Sequence, residues 1–182
     1  QKAPQTTLVA ALALVKVLID RYRLSAATKW PNDILIKGKK VAGILTEMQG
    51  DQDTVRFLVM GIGINVNHTP EELDAAPMRY PATSLALELG ESLKRQEVVL
   101  AFLHRFEREY ERLLEGDLEL LLPEIEETSA VLGKNIRLHC GEEIFYGKAT
   151  AFTPEGALRL LTEENLEKTI WVGDITRVEG DF

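Results

Sequence analysis

Apolar residues recur at helical spacing in two long stretches of the chain. Residues 8–23 carry a broad apolar stripe, and Thr6 or Thr7 is placed to cap its start, so a well-buried helix is predicted. Residues 95–114 carry a second apolar stripe, opposite a charged face that includes Glu109 and Arg112. This pattern predicts an amphipathic helix whose charged face is solvated, like the whole Glu-rich stretch 107–127.

Between these helices the spacing becomes that of strands and turns. The predicted strands cover residues 26–30, 33–36, 41–48 and a stretch that runs from 55 into the segment 61–67. Apolar residues occupy both faces of the last strand before Gly61, which predicts that both faces are covered. A loop is predicted over 68–82, and the short helix after it begins at a cap, Thr83 or Ser84, and ends at Gly90.

The pattern changes again towards the end of the chain. A further helix is predicted to extend to about residue 128, and Pro123 is expected to kink or interrupt it. Short strands with tight turns are predicted after Gly133. Ile170 and Val172 are predicted to begin the last strand pair. Five such strands predict a small β-barrel. We therefore expect an α+β protein with two domains, residues 1–130 and residues 131–182.

Composition and charge narrow the class of protein. With 45% hydrophobic residues the chain can form a core, and its net charge of −8 argues against nonspecific nucleic-acid binding. The longest apolar run, residues 8–19, is interrupted by Lys16 and is too short to cross a bilayer. The single cysteine, Cys140, cannot form an internal disulfide. These features favour a cytoplasmic protein without a membrane segment.

Two lysines and an aspartate are the first candidate site. Lys29 ends one predicted strand, Asp33 begins the next, and Lys40 begins the third after a tight turn. Two ammonium groups and a carboxylate on neighbouring strand ends suit a substrate that carries several negative charges. A polar hairpin with solvated lysines is the alternative.

Alternating glycines give the second candidate site. In Gly61-Ile62-Gly63-Ile64-Asn65, the isoleucines can face the core while the glycines leave the other strand face without side chains. A flat ligand could then approach the backbone closely, and Asn65 offers a donor and an acceptor to a nucleotide. A glycine-containing buried strand is the alternative.

Three runs, taken together, resemble those of the biotin protein ligase family. They are Lys29-Trp30-Pro31-Asn32-Asp33, then Lys40-Val41-Ala42-Gly43-Ile44-Leu45, then Gly61-Ile62-Gly63-Ile64-Asn65. Their order and spacing are similar to those of the family, and the predicted C-terminal barrel follows them. The resemblance implies a mixed β-sheet packed with helices, of the class II aminoacyl-tRNA synthetase and biotin ligase type, N-terminally incomplete and followed by an SH3-like barrel.

The resemblance also implies an activity. Members of the family activate biotin with ATP, giving biotinyl-5′-AMP and pyrophosphate, and then transfer biotin to a lysine of a biotin carboxyl carrier domain. Lys40 would stabilise the charge that shifts between carboxylate and α-phosphate. Asp33 would orient the incoming carrier lysine or bind magnesium, and the pair Lys40 and Asp33 would be catalytic.

The remaining implied site residues would bind biotin or the adenylate. Lys29 would support phosphate binding, and Gly43 would permit a close approach to biotin. The full set of implied binding residues is Lys29, Trp30, Asn32, Gly43, Gly61, Gly63 and Asn65. Near the end of the chain, Trp171 is predicted to be a packing residue. Arg177 is predicted to be a surface arginine, and a contact from the small barrel to the nucleotide is the alternative.

The sequence also departs from the family. The Gly-Arg-Gly-Arg type of loop that family members place upstream of these runs does not occur in these residues, and neither does a helix-turn-helix for DNA contact. The chain alone is therefore expected to be inactive unless the loop is supplied. The sequence is also compatible with a homodimer. A lipoate–protein ligase and a noncatalytic module that binds a carrier protein are the alternative functions.

Overall fold

A long, buried helix begins the part of the chain that the computed structural model describes, which is residues 3–50, 55–75, 81–116 and 118–179. This helix, α1 (Ala3–Asp20), is apolar on nearly all sides, and residues from Leu8 to Leu18 are buried with the exception of Lys16. The prediction that Thr6 or Thr7 caps it is wrong. Both threonines lie inside the helix and are buried, because the helix starts earlier and packs along its whole length.

Four antiparallel strands form the first sheet, in the order β1-β2-β3-β4. Their bounds are β1 (Ala26–Lys29), β2 (Asp33–Ile36), β3 (Lys39–Gly50) and β4 (Val55–Ile64). On one face, Ala42 and Ile44 pack with α1 in a shared apolar cluster. The other face of β4 exposes Phe57 (51%) and Val59 (52%), so the prediction that both faces of this strand are covered is wrong.

Four further helices connect this sheet to the C-terminal strands. They are α2 (Pro70–Asp74), α3 (Leu85–Leu89), α4 (Arg95–Gly116) and α5 (Leu122–Glu127), with a short 3-10 turn at Leu118–Leu120 before the last. Ser84 caps α3, and Gly90 ends it in the left-handed conformation (φ 77°), which glycine adopts without strain. Pro123 lies in the first turn of α5, because proline fits where no backbone donor is needed.

The predicted loop over 68–82 contains a helix that the sequence pattern did not reveal. Thr69 accepts a hydrogen bond from the Glu72 backbone, and the Glu72 side chain accepts one from the Thr69 backbone, which forms a capping box at the start of α2. Pro70 occupies the first turn. The rest of the predicted loop lies partly outside the described residues.

The C-terminal strands form a five-stranded antiparallel sheet in the order β8-β7-β6-β5-β9. Their bounds are β5 (Asn135–Cys140), β6 (Glu143–Phe152), β7 (Leu158–Thr162), β8 (Glu167–Ile170) and β9 (Asp174–Val178). We call residues 131–179 the barrel. Val172 was predicted to lie in the last strand pair, but it lies outside both strands and is 79% exposed. Trp171, predicted to pack, is 54% exposed.

A single apolar cluster joins the barrel to the N-terminal part of the chain. Leu8, Val9, Leu12 and Trp30 pack in one cluster with barrel residues. These barrel residues include Ile136, Leu138, Phe152, Leu158 and Ile175. The hydrophobic cores of residues 1–130 and of the barrel are thus continuous. The division of the chain into two domains at residue 130 stays a prediction.

The α+β fold class and the SH3-like barrel are confirmed. The described strand pairs are antiparallel, and parallel pairing occurs as isolated bridges at Thr28–Ser129 and Lys40–Ala82. No helix in the described ranges has the length and apolar character that crossing a membrane requires.

Candidate active site

Lys29, Asp33 and Lys40 meet at one end of the first sheet. Lys29 lies directly opposite Asp33 in the β1–β2 pairing, and the Lys29 Nζ atom is 3.7 Å from Asp33 Oδ2. A register shift in the β2–β3 pairing brings Lys40 beside the same carboxylate, and its ammonium contacts Asp33 Oδ1. The solvated-hairpin alternative fails for Lys29, which is only 5% exposed.

An acidic residue of the barrel completes this cluster. Asp174, at the start of β9, places its Oδ1 atom 3.7 Å from Lys29 Nζ. Burial lowers the pKa of Lys29, and Lys40 lowers it further, while the carboxylates of Asp33 and Asp174 act in the opposite direction. Sequence analysis missed Asp174, and the only local signal was the polar Gly173-Asp174 pair between two apolar strand segments.

Glycines extend the cluster into an open sheet face. Because residues directly opposite in antiparallel strands share a face, the pairings Lys29–Asp33, Asp33–Gly43 and Gly43–Gly63 define one row across all four strands. A Cβ atom at Gly43 would lie 3.1 Å from Lys40 Nζ, whereas a Cβ atom at Gly63 would meet no atom within 4 Å. Gly61 borders the same open face, with Leu45 O as its nearest neighbour at 3.8 Å. The row therefore joins charged groups to bare backbone.

Asn65 holds the backbone that carries Lys40. Its Nδ2 atom donates to Thr83 O (3.1 Å), and its backbone N–H donates to Val41 O (2.8 Å). Lys40 N in turn donates to Pro81 O, and Thr83 N donates to Lys40 O. The segment before α3 is thereby fixed against the start of β3, next to the Lys40–Asp33 contact.

Trp30 and Asn32 point away from the lysines. Trp30 is 3% exposed and donates from Nε1 to Gly156 O (3.3 Å), while the Asn32 side chain donates to Ile44 O (2.8 Å). Both line a separate cavity of about 290 Å³ that Trp171 also lines. Their assignment to ligand binding stays a prediction, since these contacts give each of them a structural role.

A cavity of about 220 Å³ lies over the charged cluster, between the first sheet and β9. Lys29, Asp33 and Lys40 form its wall on the sheet side, and Arg177 lines it from the barrel. Three cationic side chains and the Asp33 carboxylate therefore line one cavity. Such a site can bind a polyanion and stabilise negative charge that moves between neighbouring atoms.

The same charges do not fit a magnesium ion held by the protein alone. Both oxygens of Asp33 face lysine ammonium groups, which would compete with a cation. The described residues contain no group of three or more His, Cys, Asp or Glu side chains that could hold a metal ion. A magnesium ion would need most of its oxygen ligands from a bound phosphate and water.

Comparisons with known proteins agree with this architecture. A model described as the biotin/lipoate A/B protein ligase family matches residues 1–65, and one described as the biotin protein ligase C-terminal domain matches residues 131–177. The biotin protein ligase of Aquifex aeolicus superposes with a TM-score of 0.80 at 31% identity, covering 95% of this chain and 74% of that one. The chain belongs to the biotin protein ligase family.

Curated relatives of known length show how much of a whole protein this chain covers. The bifunctional ligase/repressor BirA of Bacillus subtilis is 40% identical over 175 residues, which are 96% of this chain and 53% of that protein. A biotin–[acetyl-CoA-carboxylase] ligase of Paracoccus denitrificans is 39% identical over 97 residues, covering 52% of this chain and 40% of that protein. The chain therefore spans about half the length of the Bacillus subtilis protein and 40% of the Paracoccus denitrificans protein.

Proposed function

We propose that this chain is the part of an ATP-dependent biotin protein ligase that activates the biotin carboxylate and presents it to a lysine of a biotin carboxyl carrier domain. The observation that carries the proposal is the cross-strand row from Lys29 and Asp33 to Gly43 and Gly63, with the Lys40 ammonium lying on it. The Aquifex aeolicus protein with which this chain superposes was also solved in complex with biotin and ATP.

Lys40 is assigned to the first chemical step. A biotin carboxylate oxygen attacks the α-phosphorus of ATP, the bond from that phosphorus to pyrophosphate breaks, and a mixed anhydride forms. Two anions must approach each other, and an ammonium group between them lowers their repulsion by several kcal/mol at about 4 Å. Lys40 is 31% exposed in its side chain and borders the cavity, so it can reach a bound ligand, and Lys29 supports the phosphates from the buried side.

Asp33 is assigned to the second step. The acceptor amine attacks the biotinyl carbonyl, AMP leaves, and the attacking nitrogen loses a proton. A carboxylate beside the reaction centre orients an incoming ammonium group and accepts that proton. Because Asp33 already contacts two lysines, an acceptor lysine would exchange with one of them, most simply with the more exposed Lys40.

The glycine face and Asn65 are assigned to adenylate binding. Gly61, Gly63 and Gly43 leave room for the ligand to lie against the strands, and Asn65 keeps Lys40 in position through Thr83. Magnesium belongs to this proposal as part of the ATP substrate. A carrier protein is the proposed partner, and Trp30 and Asn32 remain proposed contacts from the neighbouring cavity.

The test is biotin-dependent exchange of labelled pyrophosphate into ATP, measured on the longest native protein that contains these residues. Lys40→Gln should lower the exchange rate by about a hundredfold or more, as removal of one transition-state donor commonly does. Lys39→Gln is the matched control, because the adjacent Lys39 is exposed and lies outside the cluster. Equal exchange rates in the two variants would refute the role of Lys40.

The same assay separates the alternatives. Exchange that depends on lipoate and not on biotin would support a lipoate–protein ligase. The family model that matches residues 1–65 includes lipoate ligases as well as biotin ligases. Binding of a carrier protein without any exchange would support a noncatalytic module. The match of residues 131–177 to a biotin-specific C-terminal domain favours biotin.

A further inference from the structure

We propose that the barrel carries a second oxyanion site, formed by Arg137 and Arg177, which binds a phosphate or carboxylate group. It lies beside the cavity over Lys29, Asp33 and Lys40, which we call the reaction cavity. The two arginines lie directly opposite each other in the β5–β9 pairing, so both project from the same face of the barrel. Like charges at such opposed positions destabilise a sheet unless another group compensates them. The pairing therefore calls for a counter-charge.

Neither arginine is paired with such a counter-charge in the described part of the structure. Within residues 3–50, 55–75, 81–116 and 118–179, neither arginine forms an ion pair, and the buried Arg137 Nε atom has no hydrogen-bond partner. The Arg137 guanidinium lies over the ring of Tyr146, 5.8 Å from its centroid. A flat guanidinium supported on an aromatic ring presents its edge to a ligand in a fixed orientation.

A cavity of about 150 Å³ adjoins the pair. Arg137, Arg177 and Tyr146 line it, together with two carboxylates, Glu163 and Glu179. Glu179 accepts a hydrogen bond from Asn135 Nδ2 (3.0 Å), which disperses part of its charge. The two carboxylates repel anions, most strongly those of high charge, so the site suits a small oxyanion that the two guanidinium groups hold by directed hydrogen bonds.

Arg177 connects this site to the reaction cavity. It lines both the 220 Å³ cavity with Lys29 and Lys40 and the 150 Å³ cavity with Arg137. One cationic path therefore leads from the lysine cluster across the outer face of the barrel. A phosphate of the nucleotide or of released pyrophosphate could enter the site from the reaction cavity, and a carboxylate of an acceptor protein could enter it from outside.

The test follows the arginine Nε–H signals by NMR while inorganic phosphate is added to the 182-residue chain. The signals of Arg137 and Arg177, assigned through Arg137→Gln and Arg177→Gln, should shift in a saturable manner at millimolar phosphate, about 10 mM or below. Arg159 is the internal control, because it is already paired with Glu167 at 3.4 Å. Equal shifts for all three arginines, or none, would overturn the proposal.

Substitutions then measure the strength of the site and identify its source of ligand. Arg137→Gln should weaken phosphate binding about tenfold, as the loss of a charge-assisted hydrogen bond does, whereas Lys148→Gln on the neighbouring strand should not. Competition by pyrophosphate but not acetate would indicate a nucleotide-derived phosphate, and the reverse an acceptor carboxylate. Because Lys40→Gln should leave the Arg137 signal responsive, failure of this site and failure of the ligase proposal are separable.

Discussion

A methyl group on Gly43 would touch the ammonium group to which the first chemical step is assigned. The Cβ atom would lie 3.1 Å from Lys40 Nζ and 3.2 Å from Lys40 Cε, which is closer than ordinary contact. We expect Gly43→Ala to displace the flexible end of Lys40, to slow pyrophosphate exchange, and to change the free energy of unfolding by less than about 1 kcal/mol. Exchange kinetics and urea denaturation measure the two effects.

Gly63→Ala is the companion variant, since its Cβ atom would enter open space. It should leave the position of Lys40 in the free protein unchanged, which the NMR signal of the Lys40 side chain reports, and weaken only the binding of biotin and ATP. If both alanine variants kept wild-type ligand affinity, the glycine face would not be the binding surface.

At the scale of elements, one ionic network joins three helices. Lys16 on α1 contacts Glu109 on α4 (2.9 Å) and Glu124 on α5, and Arg112 on α4 contacts both glutamates. Glu109 is only 2% exposed, so the prediction of a fully solvated charged face on α4 is wrong. The residue is stable there because Lys16, Arg105 and Arg112 surround it.

The network predicts an acid-sensitive contact between these helices. Hydrogen bonding to Arg112 and Lys16 lowers the pKa of Glu124 to about 2. A carboxyl group whose pKa is lowered by folding stabilises the folded chain above its unfolded pKa, and this contribution is lost as the pH falls towards about 2. Because Glu124 is 35% exposed, we expect Glu124→Gln to cost about 1–2 kcal/mol at neutral pH after screening.

Urea denaturation at neutral and acidic pH checks this expectation. The difference between wild type and Glu124→Gln should shrink as the pH is lowered, whereas the exposed Glu127→Gln on the same helix should cost little at either pH. A constant difference across the pH range would show that packing, and not the charge of Glu124, accounts for the loss.

Periodicity was enough to predict most elements, because their boundaries are marked by local chemistry. Pro31 and the turn after Ile36 delimit strands, and Ser84 and Gly90 delimit α3. The early start of α1 and the burial of Glu109 depend on what packs against them, and α2 is too short to show a period. Such features arise from tertiary contacts that local spacing does not encode.

At the scale of the whole molecule, the barrel contributes a charge to the cluster of Lys29, Asp33 and Lys40. Asp174 and Asp33 each raise the pKa of Lys29 against the lowering effect of burial. We expect Asp174→Asn to lower the pKa of Lys29 further, which an NMR titration of the lysine side chain would measure. Glu155→Gln, an exposed acid elsewhere in the barrel, is the control.

The sign of the linked stability change follows from the same shift. Since the pKa of Lys29 is lower in the folded chain, the unfolded chain binds more protons between the folded pKa and the ordinary value of 10.5. Stability contributed by this group therefore rises with pH through that window, and Asp174→Asn should widen the window towards lower pH. An unchanged Lys29 titration in Asp174→Asn would mean that the barrel does not influence the cluster.

The sequence allowed only part of this cluster to be predicted. Lys29, Asp33 and Lys40 could be grouped because two tight strand connections bring them together within a short stretch of chain. Asp174 could not, since its approach to Lys29 depends on how the barrel packs against the first sheet. Arg177 was predicted to be a surface arginine, with contact to the nucleotide as the alternative. It is exposed, and it also borders the cavity that Lys29, Asp33 and Lys40 line.

The apolar cluster that α1 shares with the barrel has a consequence for protein engineering. Leu8, Val9 and Leu12 pack in one cluster with strands of the barrel, which lie more than a hundred residues further along the chain. A chimera that exchanged only the barrel between relatives would juxtapose two surfaces shaped for other partners. Functional hybrids should therefore require that this helix and Trp30 be transplanted together with the barrel they support.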